Sequence, residues 1–253
     1  MDSECLNHLS AVVSDGAGIS KGILDRHQEY LRACLFIISC SGDKASEGRN
    51  PNWNYVLHHD EQCQFPEFNP PRLAMAQAVS QGHAVRYYRS SDSDIQAART
   101  LNAVVFESGT LPAIRRYDGR LYQRFRSTVK DALASGRIVN LLIISALHGP
   151  TSPLDLLPNY DLTMKDSIDD ELLKMRWPVI IKRTAHANLV HFVQRFRRCI
   201  APIGLDYAET ARMIANQASI PYTHIPLNNY GGPIRAGKLL NEIFSADLGE
   251  ADV

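Results

Sequence analysis

The sequence predicts an α/β protein with a mainly parallel central sheet flanked by helices. Short apolar runs of strand length recur along the chain, separated by segments with apolar residues at helical spacing. The strongest run, 138–144, is rich in β-branched residues and indicates a strand buried on both faces. Small and polar residues follow it at once, which predicts a site at the carboxyl end of the sheet.

The first half of the chain predicts an appendage and then alternating elements. Residues 1–32 predict a helical N-terminal appendage, and 33–253 a single α/β domain. A proline near its start and a glycine past its end favour a helix over 71–82. Apolar runs predict strands, and helical spacing predicts helices, at the following positions: strands at 35–39 and 103–108, a helix at 92–101, and a strand or helix at 84–88.

In the second half, a turn at 117–119 precedes an amphipathic helix that ends near Gly136. An acidic start favours a helix over 166–174, because carboxylates stabilise the N-terminal end of the helix dipole. The remaining predictions are strands at 178–182 and 218–227 and helices at 186–201 and 234–245.

Composition limits the class of protein. The 253 residues include 27 basic and 27 acidic side chains, so a nucleic-acid partner is possible but not favoured. Five scattered cysteines without zinc spacing indicate neither a disulfide framework nor a metal site. The start of the chain lacks a basic signal-peptide region and no apolar run reaches bilayer length, so we expect a cytoplasmic protein without membrane contact. No cofactor motif is evident.

The segment after the first predicted strand has the features of a binding loop. Ser39, Cys40 and Ser41 precede a Gly-Asp pair and Lys44, so backbone amides and an ammonium group are available to an anion. The spacing is not that of a Walker A loop. Cys40 is a nucleophile only if a neighbouring charge lowers the pKa of its thiol, and the alternative is a buried, inert cysteine.

A long irregular stretch, 45–72, follows this loop and is typical of a lid or binding loop. Its adjacent His58 and His59 point in different directions on a regular backbone, which argues against a shared metal.

Further candidates lie around the turn at 117–119 and after the strand predicted at 138–144. Asp118 is either a helix cap or an acid/base, and Arg116 is either solvated or anion-binding. Ser145 and His148 form a nucleophilic pair only with an orienting acid such as Asp155 or Asp161; the Gly-x-Ser-x-Gly elbow is absent. We therefore expect polar, site-lining roles for the following residues: Ser145, His148, Tyr122 and Tyr160.

Three segments, in order across 35–164, resemble the YaaA superfamily. They are LFIISCSGDK, then RYDGRLYQRF, and then ISALHGPTSPLDLLPNYDLTM. The chain departs from the family pattern at His148, where an aromatic residue is usual, and at Pro150, which replaces a leucine. A more distant similarity connects the Cys-Ser-x-x-Lys loop with a domain of archaeosine synthase that joins an amine to a modified nucleobase.

The resemblance implies a cleft that binds a small polar or anionic, planar, nucleobase-like or nucleotide-like molecule. It favours an enzyme, a transferase or lyase acting on a carbon–nitrogen bond, with Lys44, Asp118 and His148 as catalytic candidates. The substrate-binding candidates are Ser39, Cys40, Ser41, Arg116, Tyr122, Ser145 and Tyr160. The alternative is a DNA-associated protein of oxidative-stress defence without catalysis.

Overall fold

A five-stranded sheet forms the centre of the computed structural model. The structure describes residues 2–14, 16, 18, 21–45, 63–85, 91–107, 109–134, 139–184, 187–227 and 231–246. His58, His59 and most of the predicted binding loop lie outside these residues. The described strands are β1 (Cys34–Ser39), β2 (Ala84–Val85), β3 (Leu111–Pro112), β4 (Leu141–Ser145), β5 (Gly149–Thr151), β6 (Leu156–Leu157), β7 (Ser167–Ile168), β8 (Glu171–Leu172), β9 (Arg198–Ile203) and β10 (Tyr222–Pro226).

Helices surround this sheet. A short 3-10 turn, Pro66–Phe68, leads into the helix that precedes β2. In chain order the described helices are α1 (Asp2–Ser14), α2 (Lys21–Arg26), α3 (Gln28–Arg32), α4 (Asn69–Ser80), α5 (Asp92–Ala103), α6 (Ala113–Arg116), α7 (Tyr122–Ala134), α8 (Leu173–Arg183), α9 (Ala187–Val193), α10 (Leu205–Gln217) and α11 (Gly232–Ala246).

The central sheet has the order β10-β9-β1-β4-β5 and confirms the predicted fold class. Its first four strands are parallel, with Phe36 paired to Leu141 and Leu35 to Cys199. β5 is antiparallel and joins β4 through a tight corner, where Ser145 pairs with Gly149. Every residue of β4 is buried, as expected for a parallel strand covered on both faces.

The helices that pack together fall into two groups. In one, α7 packs on α11, and α11 packs on α1; in the other, α10 packs on α8 and α9. Phe244 of α11 meets Phe36 of β1 edge-on, with ring centroids 6.0 Å apart. None of the described helices is long and apolar enough to cross a membrane.

The N-terminal helix contributes to the same apolar core as the sheet. Cys5, Leu9 and Val13 of α1 are fully buried. The guanidinium of Arg235, in α11, donates a hydrogen bond of 2.8 Å to the carbonyl of Val13. The end of α1 is therefore fixed to the last helix by a polar contact as well as by apolar packing.

Several predicted elements match the structure. The helices predicted over 71–82, 92–101 and 234–245 correspond to α4, α5 and α11. Ser91 caps α5 by accepting from the amide of Asp94, whose carboxylate accepts from the amide of Ser91 in return. The strands predicted at 35–39, 138–144 and 218–227 correspond to β1, β4 and β10.

The strand predicted at 178–182 is wrong, because these residues lie inside α8. The buried residues of this helix are Leu173, Trp177 and Ile181, which are four apart and therefore share one helical face. The short apolar run around Ile180 resembles a strand when read alone, since periodicity does not separate short buried strands from helices.

The helix predicted over 166–174 is also wrong. These residues form a hairpin of β7 and β8, and only its end enters α8. Asp169 and Asp170 occupy the turn with φ of 51° and 64°. Two successive left-handed residues are what a tight hairpin turn requires, and aspartate tolerates them better than most residues do. The acidic pair therefore marks a turn here.

Two further predictions need correction. Residues 104–107 form a turn after α5 instead of a strand. The helix predicted over 186–201 is described only as α9, and the segment from Arg198 onward is the central strand β9. The continuous, fully buried apolar run at 199–203 fits a strand covered on both faces at least as well as a helix.

Gly149 tests how tightly the corner after β4 is packed. Its φ is +64°, and a Cβ atom there would overlap the ring of Trp177. We expect Gly149→Ala to lower the free energy of unfolding by about 2–4 kcal/mol, from strain and overpacking together. Chemical denaturation measures this change. Gly22→Ala is the matched control, since nothing lies within 4 Å of its Cβ position; equal losses in both variants would contradict the packing described.

Candidate functional site

The candidate site lies where the order of the sheet reverses. From β1 the chain proceeds to β4 on one side and later returns to β9 on the other side. Ligand sites of open α/β sheets occupy the crevice at the carboxyl ends of such strands. Cys40 directly follows β1, and Tyr207 lies in the first turn of the helix after β9. The Cys40 sulfur is 3.1 Å from the Tyr207 hydroxyl, so the two strand ends meet at this point.

An open cleft of 460 Å³ occupies this position, and we call it the switch-point cleft. Four predicted binding residues, Ser39, Cys40, Ser41 and Tyr122, are among its lining residues. The hydroxyl of Tyr122 donates a hydrogen bond of 2.8 Å to the carbonyl of Ser39, which fixes the ring against the end of β1. The rest of the described lining is Gly42, Asp43, Gly119, Arg120, Leu121, Leu227 and Pro233.

Backbone pairing holds the loop that lines the cleft. Lys44 and Tyr117 form an antiparallel bridge, and the amide of Asp118 donates to the carbonyl of Asp43 at 2.9 Å. Gly119 lies against the side chain of Ser41, where a Cβ atom would be 2.9 Å from the Cβ of Ser41 and closer still to its hydroxyl. The turn at 117–119 therefore holds the loop after β1 in position.

Arg116 has a different environment from the one expected for a substrate-binding arginine. It is fully buried, and its guanidinium donates to the carbonyls of Leu157 at 3.2 Å, Gly109 at 2.5 Å and Ala45. Burial lowers the pKa of Arg116 to about 10. The guanidinium thus connects the loop after β1, the segment before β3 and the strand β6. Arg116 is not among the described lining residues of the cleft.

A buried polar group that we call the tyrosine cluster lies beside the cleft. It consists of Tyr117, Tyr160, Ser145, Lys44 and His148. The Tyr160 hydroxyl is 2.8 Å from both the Tyr117 hydroxyl and the Ser145 hydroxyl. The Lys44 ammonium lies 4.3 Å from the centroid of the Tyr160 ring, and the His148 ring meets Tyr160 edge-on at 5.6 Å. Three predicted site residues thus surround a fourth.

Ser145 and His148 contact each other through the backbone. The amide of His148 donates to the Ser145 hydroxyl at 2.9 Å, and that hydroxyl also bonds Tyr160. The carbonyl of His148 accepts from Arg72 at 2.7 Å. Asp155, a possible orienting acid, accepts from backbone amides on both of its oxygens. This arrangement does not have the hydroxyl-to-imidazole contact of a serine nucleophile.

Asp118 faces a different partner from Lys44 and His148. Its carboxylate is 2.9 Å from the guanidinium of Arg126 in α7, and both side chains are partly exposed. The structure therefore brings Lys44 and His148 together around Tyr160 and directs Asp118 to the surface.

The comparison with known families agrees with this geometry. The family model of the peroxide stress protein YaaA matches residues 34–198, well over half of the chain. The chain belongs to the YaaA family. A comparison with curated proteins finds no match. The matched range includes the loop after β1, the turn at 117–119 and the whole tyrosine cluster, so the family region coincides with one wall of the cleft and the polar groups beside it.

The electrostatics of this YaaA family member favour neutral phenols. Burial raises the pKa of Tyr117, Tyr122, Tyr160 and Tyr207, and the nearby Cys40 thiol contributes in the same direction. At neutral pH these hydroxyls therefore act as hydrogen-bond donors and acceptors. In the part of the chain that the structure describes, no group of three His, Cys, Asp or Glu side chains is placed to hold a metal ion.

Two tyrosines of the site are absent from the sequence-based candidates. Tyr117 is central to the cluster, and Tyr207 contacts Cys40. The sequence contains a signal for Tyr117, because this residue begins the Tyr-Asp-Gly turn that was already identified. Tyr207 becomes a candidate only when 198–203 is recognised as a parallel strand, because the helix that follows then starts at the same sheet edge.

The buried phenols predict an alkaline limit to the stability of this YaaA family protein. In the unfolded chain tyrosine ionises near its ordinary pKa of about 10, whereas the four folded-state values are higher. Above that pH the folded state binds more protons than the unfolded state, so stability falls as pH rises. The lowered pKa of Arg116 has the opposite effect on the pH dependence of stability, but it is one group against four tyrosines. We expect ultraviolet phenolate absorbance from these four tyrosines to appear together with unfolding; their ionisation in the folded protein near their ordinary pKa would contradict the burial.

A second prediction concerns the contact between Gly119 and Ser41 in this YaaA family protein. Gly119→Ala forces Ser41 to move and breaks the bond from the Asp43 amide to the Ser41 hydroxyl. We expect a loss of about 1–3 kcal/mol in the free energy of unfolding, with partial recovery in the Ser41→Gly, Gly119→Ala double variant. Denaturant titration measures both. Gly42→Ala is the control in the same loop, because its Cβ position is open; no recovery in the double variant would refute the contact.

Proposed function

We propose that this protein binds a small polar or anionic, planar molecule of the nucleobase or nucleotide class in the switch-point cleft. We further propose that it acts on a carbon–nitrogen bond of that molecule, as a transferase or lyase, in a peroxide-stress role. The observation that carries the binding proposal is the combination of backbone amides, an exposed arginine and apolar side chains in one cleft at the point where the sheet order reverses.

The polar wall of the cleft supports an anionic or polar ligand group. The amide of Cys40 donates to the carbonyl of Ile144, and the amide of Asp43 to Ser41. Within the described part of the chain, the amides of Ser41 and Gly42 make no hydrogen bond and are available to a ligand. Arg120 is an exposed cation in the same lining, which gives an anionic group a charged partner.

The apolar residues of the lining support a flat ligand. Tyr122 is held by its hydrogen bond to Ser39 and is therefore ordered without a ligand. Leu121, Leu227 and Pro233 complete an apolar surface around it. A planar ring loses little conformational freedom on binding between such surfaces, and apolar walls with a few convergent polar groups are typical of small-molecule sites. Asp43 adds an acceptor for an amino group.

The chemistry in this proposal belongs to the tyrosine cluster beside the cleft. Lys44 and His148 are the proton-transfer candidates, and Tyr160 connects them to Ser145 and Tyr117 through short hydrogen bonds. Asp118 is a third candidate. Its carboxylate lies at the surface and forms an ion pair with Arg126. The carbon–nitrogen reaction type rests on the similarity to the archaeosine synthase domain, which uses a comparable loop.

DNA association without catalysis is the second candidate function. Arg120 and Arg124 are exposed near the start of α7, and Arg120 lies in the cleft lining. Adjacent exposed guanidinium groups suit phosphate contacts. Arg198, which belongs to the basic run at 195–198, donates to the hydroxyl of Thr223 and is less available.

A ligand screen with matched arginine variants tests both candidates. We expect nucleobases or nucleotides in excess to raise the melting temperature of the full chain. Arg120→Ala should weaken the binding of an anionic ligand by about tenfold, or about 1.4 kcal/mol. Arg115→Ala is the control, because Arg115 is exposed and is not among the lining residues.

Each outcome of the screen separates the candidates. Stabilisation by a small molecule that is reduced in Arg120→Ala and unchanged in Arg115→Ala supports the binding proposal. Stabilisation by DNA alone, with an affinity that falls steeply as salt increases, supports DNA association instead. Equal effects of the two substitutions on a small ligand would refute the cleft as its binding site.

A further inference from the structure

A second group of titratable side chains lies outside the switch-point cleft. It consists of Cys63, Arg72 and Asp155, and we call it the thiol cluster. Cys63 precedes the helix α4, Arg72 lies in the first turn of that helix, and Asp155 follows the strand β5. None of the three is among the cleft-lining residues.

Arg72 is a fully buried cation whose contacts are nearly all with neutral groups. Its guanidinium donates to the carbonyls of His148 at 2.7 Å, Phe65 at 3.3 Å and Pro150, and to the side-chain oxygen of Asn69 at 3.2 Å. The guanidinium also lies 5.8 Å from the centroid of the Phe68 ring, and one of its nitrogens contacts the sulfur of Cys63. Among the described residues, that thiol is the one titratable group in direct contact with the charge of Arg72.

Asp155 supplies a proton acceptor on the other side of the sulfur. The Cys63 sulfur is 3.8 Å from one carboxylate oxygen of Asp155 and is directed to it as a donor. The amides of Gln64 and Ser152 hold the two oxygens in place, each at 3.0 Å. Burial raises the pKa of Asp155, which makes it a better base than an exposed carboxylate, while Arg72 opposes that shift.

The thiol of Cys63 is also the most accessible of the five. Cys5, Cys34, Cys40 and Cys199 are buried, whereas Cys63 is only half-buried. Burial raises the pKa of the Cys63 thiol, and the Arg72 charge counteracts it. The sulfur therefore rests as a thiol, with a base on one side, a fixed cation on the other and access for a small reagent.

We propose that Cys63 is a site of oxidation by hydroperoxides, with Asp155 as proton acceptor and Arg72 as the positive charge that stabilises the thiolate. The thiol proton moves to Asp155, and the sulfur attacks one peroxide oxygen. The sulfur–oxygen bond forms as the oxygen–oxygen bond breaks. The leaving hydroxide of hydrogen peroxide, or the alkoxide of an organic hydroperoxide, takes the proton from Asp155 to give water or an alcohol. The sulfur is oxidised to a sulfenic acid and the peroxide is reduced.

This chemistry is separate from ligand binding in the cleft and does not rest on it. Arg72 connects the two regions, because it also holds the carbonyls of His148 and Pro150 at the corner beside the tyrosine cluster. Oxidation is measured without any cleft ligand, so failure of one proposal leaves the other intact.

Exposure of the full chain to hydrogen peroxide with a sulfenic-acid trap, followed by peptide mass mapping, tests the proposal. We expect the trapped adduct to appear first on Cys63. The rate constant at Cys63 in the folded protein should exceed that in the denatured chain by about tenfold, although the folded thiol is less exposed, because denaturation removes Arg72 and Asp155. The folded-state rate should rise with pH as the thiol ionises.

Variants separate activation from simple exposure. Arg72→Lys keeps a positive charge but loses the planar contacts, and we expect about tenfold slower oxidation at Cys63. Cys5→Ala, at a buried thiol of α1 outside both sites, is the matched control and should leave the adduct unchanged, whereas Cys63→Ser should abolish it. If Arg72→Lys does not fold, the comparison of folded and denatured wild type decides alone. A first adduct on another cysteine, or a denatured-state rate equal to or above the folded one, would overturn the proposal.

Discussion

The buried charge of Arg116 is the interaction on which the site architecture depends. A guanidinium removed from water is tolerated only when its donors are satisfied, and here it donates to carbonyls of three different chain segments. Those carbonyls belong to Ala45 after β1, Gly109 before β3 and Leu157 in β6. The side chain of Arg116 and the backbone pairing of Lys44 with Tyr117 together hold the loop after β1, which is therefore ordered before any ligand binds.

This constraint explains why the cleft and the tyrosine cluster are adjacent. The turn that carries Arg116 continues into Tyr117, which pairs with Lys44 through the backbone and with Tyr160 through its hydroxyl. Gly119 then brings the turn against Ser41 in the cleft lining. A single short segment thus connects the buried hydrogen-bond network with the open binding surface, in agreement with a binding wall supported by rigid inner groups.

A second buried arginine has the corresponding role on the other side of β4. Arg72 holds the carbonyls of His148 and Pro150 and at the same time contacts the thiol of Cys63. The two arginines differ in one respect that matters chemically. The Arg116 guanidinium donates to three backbone oxygens, whereas the Arg72 guanidinium also contacts the nucleophilic sulfur of Cys63, which places Arg72 to support chemistry at that sulfur. Membership of a peroxide stress family is compatible with such a site.

The sequence by itself determined the fold class, two of the three inner strands, β1 and β4, and the loops that follow these two. Apolar β-branched runs such as 35–39 and 141–144 have few alternatives to a buried parallel strand, and small polar residues after them mark the carboxyl edge. The family segments were likewise recognisable, since their order along the chain is a local property. The helix over 71–82, bounded by proline and glycine, was predicted for the same reason.

Tertiary structure decided which of those polar residues meet. The distance from Cys40 to Tyr207 depends on β9 lying beside β1, and 198–203 has a pattern that suits a helix or a strand. The partners of Arg116 and Asp118 were equally hidden, because a charged side chain beside a turn has the same sequence whether water, a carboxylate or three carbonyls surround it. Local patterns specify the backbone, but the burial and pairing of polar groups depend on segments distant in the chain.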